Sequence, residues 1–137
     1  MLAVDYGEAR LGLAVSDPKR AFVFGRETLE RSSDDRDFAA LGALCRDESI
    51  VLVVVGLPIN ADGSEGGAAR TARAWSAKAS ERLGLPTALV DERYTTIEAD
   101  EALRLQHRDW RERRKKIDKA AATLILQTFL DHGPHRE

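Results

Sequence analysis

Cysteine is nearly absent from this chain. The single Cys45 among 137 residues excludes an internal disulfide and fits a reducing compartment. It also leaves no Cys/His set for zinc, since His107, His132 and His135 are scattered through polar stretches. No apolar run approaches the roughly 20 residues needed to cross a bilayer, so no membrane partner is expected. The first residues run straight into a strand-like segment without a charged-then-apolar leader, and a secretory signal is not expected either. These absences point to a cytoplasmic location. Repeats and low-complexity linkers are lacking, and 137 residues supply one lobe. One domain over residues 1–137 is expected, with about 132–137 a frayed tail.

A strong net charge is lacking too, but the total of −2 is an average of unlike parts. Residues 104–119 hold eight basic residues and three acids, a net of +5, so the remainder carries −7. Basic charge is thus concentrated in one stretch, where a polyanion would be met.

The hydrophobic pattern gives βββαβαβαα. Residues 1–6 read as a buried strand ending near Asp5, 11–16 as a second strand and 21–28 as a third. The period then changes. Asp34 or Asp35 caps a helix whose Phe38, Leu41, Leu44 and Cys45 follow 3.6 spacing, with Cys45 a small core residue. Ile50 to Val55 reads as a strand buried on both faces. A polar, glycine-rich loop, Asn60 to Gly67, precedes a helix over 68–83 that Gly84 stops, and 85–90 makes a fifth strand. Thr95 and Glu98 form a capping-box signature for another helix. The last helix is expected over 114–131. Three antiparallel strands followed by α-β-α-β-α-α make a five-stranded mixed sheet flanked by helices, an α/β fold with the first strand near its centre.

That topology gathers carboxylates. Asp5 and Glu92 leave the same end of near-neighbouring strands, and Asp118 sits beside the buried stripe of the last helix. Each has an ordinary structural use: a turn former, a surface charge, a favourable charge at a helix start. Converging, they suit hard divalent cations and phosphodiester or phosphoryl-transfer chemistry. Oxygen ligands select two Mg²⁺ or Mn²⁺ ions over Zn²⁺. Arg113, Arg114, Lys115 and Lys116, together with Arg10 beside Asp5 and Arg93 beside Glu92, are candidates to track a phosphate backbone. Trp110 among the arginines either stacks on a base or anchors its segment.

Five stretches carry a family resemblance: Asp5-Tyr6-Gly7-Glu8-Ala9-Arg10-Leu11-Gly12, Val55-Gly56-Leu57-Pro58, Asn60-Ala61-Asp62-Gly63-Ser64-Glu65, Asp91-Glu92-Arg93-Tyr94-Thr95-Thr96 and Asp118-Lys119-Ala120-Ala121. They resemble, in order and spacing, the signature blocks of the YqgF/RuvX family of bacterial nucleases. The resemblance runs from Met1 to about Leu130. It implies an RNase H-like fold and a three-acid metal site made by Asp5, Glu92 and Asp118, leaving out Asp91.

The family has been assigned both to maturation of the 5′ end of pre-16S rRNA and to resolution of Holliday junctions. The partner implied is therefore structured RNA or branched DNA. Symmetric junction cleavage needs a homodimer. The sequence shows no strong self-association surface, which favours the RNA reading, with a monomer or a homodimer both open. Two rivals remain. An actin-like ATPase or sugar kinase also places an acid and a glycine on its first hairpin but needs two lobes. A non-catalytic nucleic-acid-binding module does not need all three acids.

Overall fold

The structure, a computed structural model, describes residues 1–20, 22–91 and 110–134, with the side chains of residues 110–120 outside that description. Among the described residues, five strands and three helices follow one another as β1 (Leu2–Tyr6), β2 (Arg10–Ser16), β3 (Val23–Glu30), α1 (Asp34–Asp47), β4 (Val53–Leu57), α2 (Gly67–Leu83), β5 (Thr87–Asp91) and α3 (Trp110–His132). The strands form one sheet in the order β3-β2-β1-β4-β5, so β1 is central as the sequence indicates. β1 pairs antiparallel with β2 (Leu2 opposite Val15, Tyr6 opposite Leu11) and parallel with β4 (Val4 opposite Val55). β5 lies parallel outside β4.

Alternation along β1 divides the interior in two. Leu2 and Val4 join Leu13, Val15, Val53 and Val55 in a core roofed by Phe38, Leu41 and Cys45 of α1 and Trp75 and Ala79 of α2. Met1 and Ala3 face the other way, joining Ala14, Val54 and Val90 under Ala122, Ile125 and Leu126 of α3. Each of the larger side chains contributes about 1.5–3 kcal/mol by leaving water. On the second face small residues dominate, and Ala121 and Ala122 are fully buried, so α3 approaches the sheet closely.

Boundaries depart from the sequence reading where local hydrogen bonds intervene. Ser33, one residue before Asp34, caps α1: its hydroxyl accepts from the Arg36 N–H at 3.2 Å. Asp34 and Asp35 fall in the first turn, where acids suit the helix dipole. β4 starts at Val53, not Ile50, because the Ile50 N–H returns to the Cys45 carbonyl at 2.8 Å and Ser49 takes φ 53°. Val51 is consequently exposed, not buried on both faces.

β3 begins at Val23, two residues later than expected, because Asp17 holds the Phe22 N–H at 2.7 Å in the preceding turn. Gly84 ends α2 as expected, with φ 67° and its N–H bonded to the Ser80 carbonyl. α3 starts at Trp110, four residues before the expected Arg114, so Arg113, Arg114, Lys115 and Lys116 belong to its opening turns and do not precede it. The helix expected from Thr95, together with Arg93 and His107, lies outside the described residues.

Candidate functional site

Parallel β1, β4 and β5 deliver their carboxyl ends to one edge of the sheet. Asp5 stands opposite Gly12 and one residue past Val4, which is level with Val55 and, through it, Leu89. Asp91 ends β5 opposite Leu57, two residues past Leu89. Two strand spacings, roughly 9.6 Å, separate β1 from β5. Glu92 follows directly in sequence and lies outside the described residues.

By the pleat, Asp5 shares the face of Ala3, the face that α3 covers. Position 118 of α3 comes one helical turn before Ala122, which packs in the same cluster as Ala3. The backbone thus brings Asp5, the end of β5 and the first half of α3 to one region, while the side chain of Asp118 is not among those described. Among the described residues, no group of three acidic, histidine or cysteine side chains is gathered. The donors expected from the sequence, Asp5, Glu92 and Asp118, are all carboxylates, a set that would fit hard divalent cations and not zinc.

The turn after Asp5 is held from behind. Gly7 is required there, since a Cβ would lie 2.6 Å from the Arg10 carbonyl oxygen. Arg31, just past β3, donates through Nη1 to the Tyr6 hydroxyl at 2.9 Å and the Gly7 carbonyl at 3.3 Å. Its guanidinium also stacks 4.9 Å from the Tyr6 ring, and its backbone N–H bonds the Ala9 carbonyl at 3.0 Å. Behind Arg31 lies Asp37, 2% exposed, which accepts from Arg31 Nε at 3.4 Å and from the Ser32 N–H at 3.0 Å. Burial opposes the charge on Arg31, yet the bonds and attraction of Tyr6 and Asp37 outweigh it and raise the pKa.

Sequence reasoning missed both residues. The available signal was Asp37 itself, an acid four residues before Leu41 on the apolar stripe of α1, where a buried carboxylate demands a cationic partner.

The Asn60–Gly67 loop follows β4 at the same sheet end and is braced by its own hydrogen bonds. Ile59 anchors it in a small core with Leu57, Ala69 and Ala72. Asn60 N–H bonds the Ser64 carbonyl at 2.9 Å, and Asp62 accepts from the Ser64 N–H at 2.9 Å and its hydroxyl at 2.6 Å. Those bonds from Ser64 hold the Asp62 carboxyl below the usual carboxylate range. Glu65 closes the loop against Arg73 with two bonds, at 2.6 and 2.9 Å.

Of the remaining candidates, Arg10 opens β2 at the turn beside Asp5. Arg113, Arg114, Lys115, Lys116 and Trp110 are placed by backbone alone. His132 lies in the last turn of α3, and His135 lies outside the described residues.

Comparison with known proteins gives a consistent result. Residues 1–132 match the model of a family described as RuvX, Holliday junction resolvase. A protein of Anaeromyxobacter dehalogenans (strain 2CP-1 / ATCC BAA-258), named "Putative pre-16S rRNA nuclease", is 41% identical over 130 residues, covering 95% of each chain. One of Koribacter versatilis with the same name is 38% identical, covering 100% of this chain and 90% of its own. Among solved structures, Thermus thermophilus RuvC aligns over 98% of both chains with a TM-score of 0.54 at 14% identity. RuvC of the same organism in complex with a Holliday junction substrate aligns with a TM-score of 0.57 at 16% identity, covering 97% of this chain and 96% of that one. At that identity the likeness is one of fold, the RNase H-like α/β architecture expected from the sequence.

Proposed function

Because the chain belongs to the RuvX family, we propose that it is a divalent-metal-dependent nuclease that hydrolyses phosphodiester bonds in structured RNA, processing the 5′ end of pre-16S rRNA in the cytoplasm. The observation that carries this reading is the convergence of β1, β4 and β5 at one sheet edge, where Asp5 lies on the face crossed by α3. Asp5, Glu92 and Asp118 are the residues that would hold two Mg²⁺ or Mn²⁺ ions. When bound, such ions supply an activated water and charge stabilisation at the leaving oxygen.

The chain's own residues do the rest. Asp5, on the central strand, gives the site its rigid wall, as a precise constellation requires. Gly7 keeps the adjoining turn slim, so that a phosphate can approach the backbone. Arg10, Arg93, Arg113, Arg114, Lys115 and Lys116 bind the phosphates flanking the scissile bond. Whole-chain agreement with the relatives favours a single working domain.

Cleavage of matched pre-16S leader RNA and four-way DNA junctions, with Mn²⁺ and salt varied, tests the proposal. Asp5→Asn should abolish metal-dependent cleavage and leave the fold intact; retained cleavage would refute it. The family description favours a second reading, resolution of four-way junctions. That reading requires two sites related by a two-fold axis, and preferential symmetric cutting of the junction would select it.

A further inference from the structure

Among the described residues the exposed large apolar side chains are Phe22 (66%), Phe24 (51%) and Val51. Two of the three stand together at the rim of the sheet, on β3 and the residue before it. Exposing one phenylalanine costs little comment; exposing two in register does. Val23, between them, packs partly buried against the α3-side core, so Phe24 turns to the other face, with exposed Phe22 two positions before it. Phe24 lies opposite Val15, and β3 is an outer strand, so among the described residues no further strand of the sheet covers the pair.

The backbone beneath them is fixed. Asp17 accepts from the Phe22 N–H at 2.7 Å, its own N–H bonds the Phe22 carbonyl at 3.2 Å, and the Arg20 N–H bonds the Asp17 carbonyl at 2.9 Å. Arg20 takes φ 58°, an unusual conformation for a residue with a side chain. Lys19 and Arg20 are both exposed beside the aromatics. Of the nearby acids, Asp17 makes the turn, and Glu48 pairs with Arg26 on the same strand.

Alternate aromatics on an exposed strand, flanked by cations, match how sheet surfaces stack successive bases of single-stranded nucleic acid. We propose that Phe22 and Phe24, with Lys19 and Arg20, form a stacking platform for single-stranded nucleic acid flanking the cleaved bond. This rests on the nuclease reading for its substrate class, and it adds a contact surface remote from the carboxylates. Phe24 is level with Val15 and Leu2, at the amino end of β1 and on the face opposite Asp5, so a strand reaching both passes round β3 and along the sheet toward the carboxyl end of β1. A second copy of this chain is a poorer occupant. Together the two rings offer on the order of 200–250 Å², against about 800 Å² per partner in a standard interface.

Fluorescence anisotropy of the full chain without divalent metal, using a labelled single-stranded RNA 12-mer and a blunt duplex of the same sequence, tests this. Phe22→Ala/Phe24→Ala should weaken single-strand binding about tenfold or more at fixed salt, with the salt slope unchanged. Tyrosine at both positions should retain binding and leucine should not. Lys19→Ala and Arg20→Ala should each reduce the salt slope by about 0.7.

Wild-type binding by the leucine variant, an equal loss on blunt duplex, or a wild-type dimer that the alanine variant dissociates in sedimentation would each overturn the proposal. If Phe-dependent binding stands while metal-dependent cleavage is absent, the nuclease reading falls and the platform does not. Cleavage with unchanged single-strand binding in the alanine variant has the opposite meaning.

Discussion

Replacing Asp37 by alanine should destabilise the protein by about 2–3 kcal/mol. Asp37 is a buried carboxylate whose main service is to Arg31, the residue that clasps Tyr6, Gly7 and Ala9 around the turn after Asp5. Breaking a buried ion pair from one side usually costs about 3–5 kcal/mol, because the surviving charge is stranded. Two features lower the figure here. Arg31 keeps 17% side-chain exposure, and Asp34 remains 3.6 Å from its Nη2. Unfolding entropy of about 2.1 cal/mol/K per residue converts the loss to a fall in melting temperature of about 7–10 °C.

Thermal and urea unfolding of Asp37→Ala, Arg31→Met and the double variant measure it. The two losses should overlap by about 1.5 kcal/mol or more, since each single change already removes the pair. The Arg31 amide, bonded to Ala9, should lose hydrogen-exchange protection in Asp37→Ala. A melting temperature within about 2 °C of wild type, or strictly additive losses, would refute the reasoning.

Gly7→Ala should cost about 1–3 kcal/mol, because its methyl meets the rigid Arg10 carbonyl and the turn must shift; metal-dependent cleavage should fall with it, as activity assays on the folded variant will show. Burial raises the pKa of the Cys45 thiol, so the folded chain keeps it protonated where the unfolded chain ionises, above about pH 8.5. Stability should therefore decline as pH rises past that value. Urea midpoints at neutral and alkaline pH for wild type and Cys45→Val check this, and an equal decline in both would exclude the thiol as its cause.

The order of the described elements and the central place of β1 were legible because they depend on hydrophobic period and chain direction, which are local signals. Asp5 was legible for the same reason, as the acid at the carboxyl end of the central strand. The clasp was not. Arg31 reaches Tyr6 across 25 residues of sequence, and nothing in the spacing of a lone arginine foretells a partner that distant.

Boundaries failed where a single side chain competes with the backbone pattern: Ser33 took the cap assigned to Asp34 or Asp35, and Asp17 delayed β3 by holding Phe22. Arg113 to Lys116 read as a lead-in to the last helix because the apolar period there is weak, yet these residues are good helix formers and lie inside α3.

The two faces of the sheet are finished at different moments of synthesis. Among the described residues, the side roofed by α1 and α2 draws only on those up to Leu89 and can close while translation continues. The opposite side leaves Ala3, Ala14, Val54 and Val90 waiting for Ala122, Ile125 and Leu126, more than thirty positions beyond the last of those strand residues. At about 5–20 residues per second, that interval lasts a few seconds. During it a nascent chain shows an apolar surface suited to a chaperone, and it has no carboxylate from α3. If Asp118 completes the proposed three-acid site, a half-made chain still attached to the ribosome should not cleave.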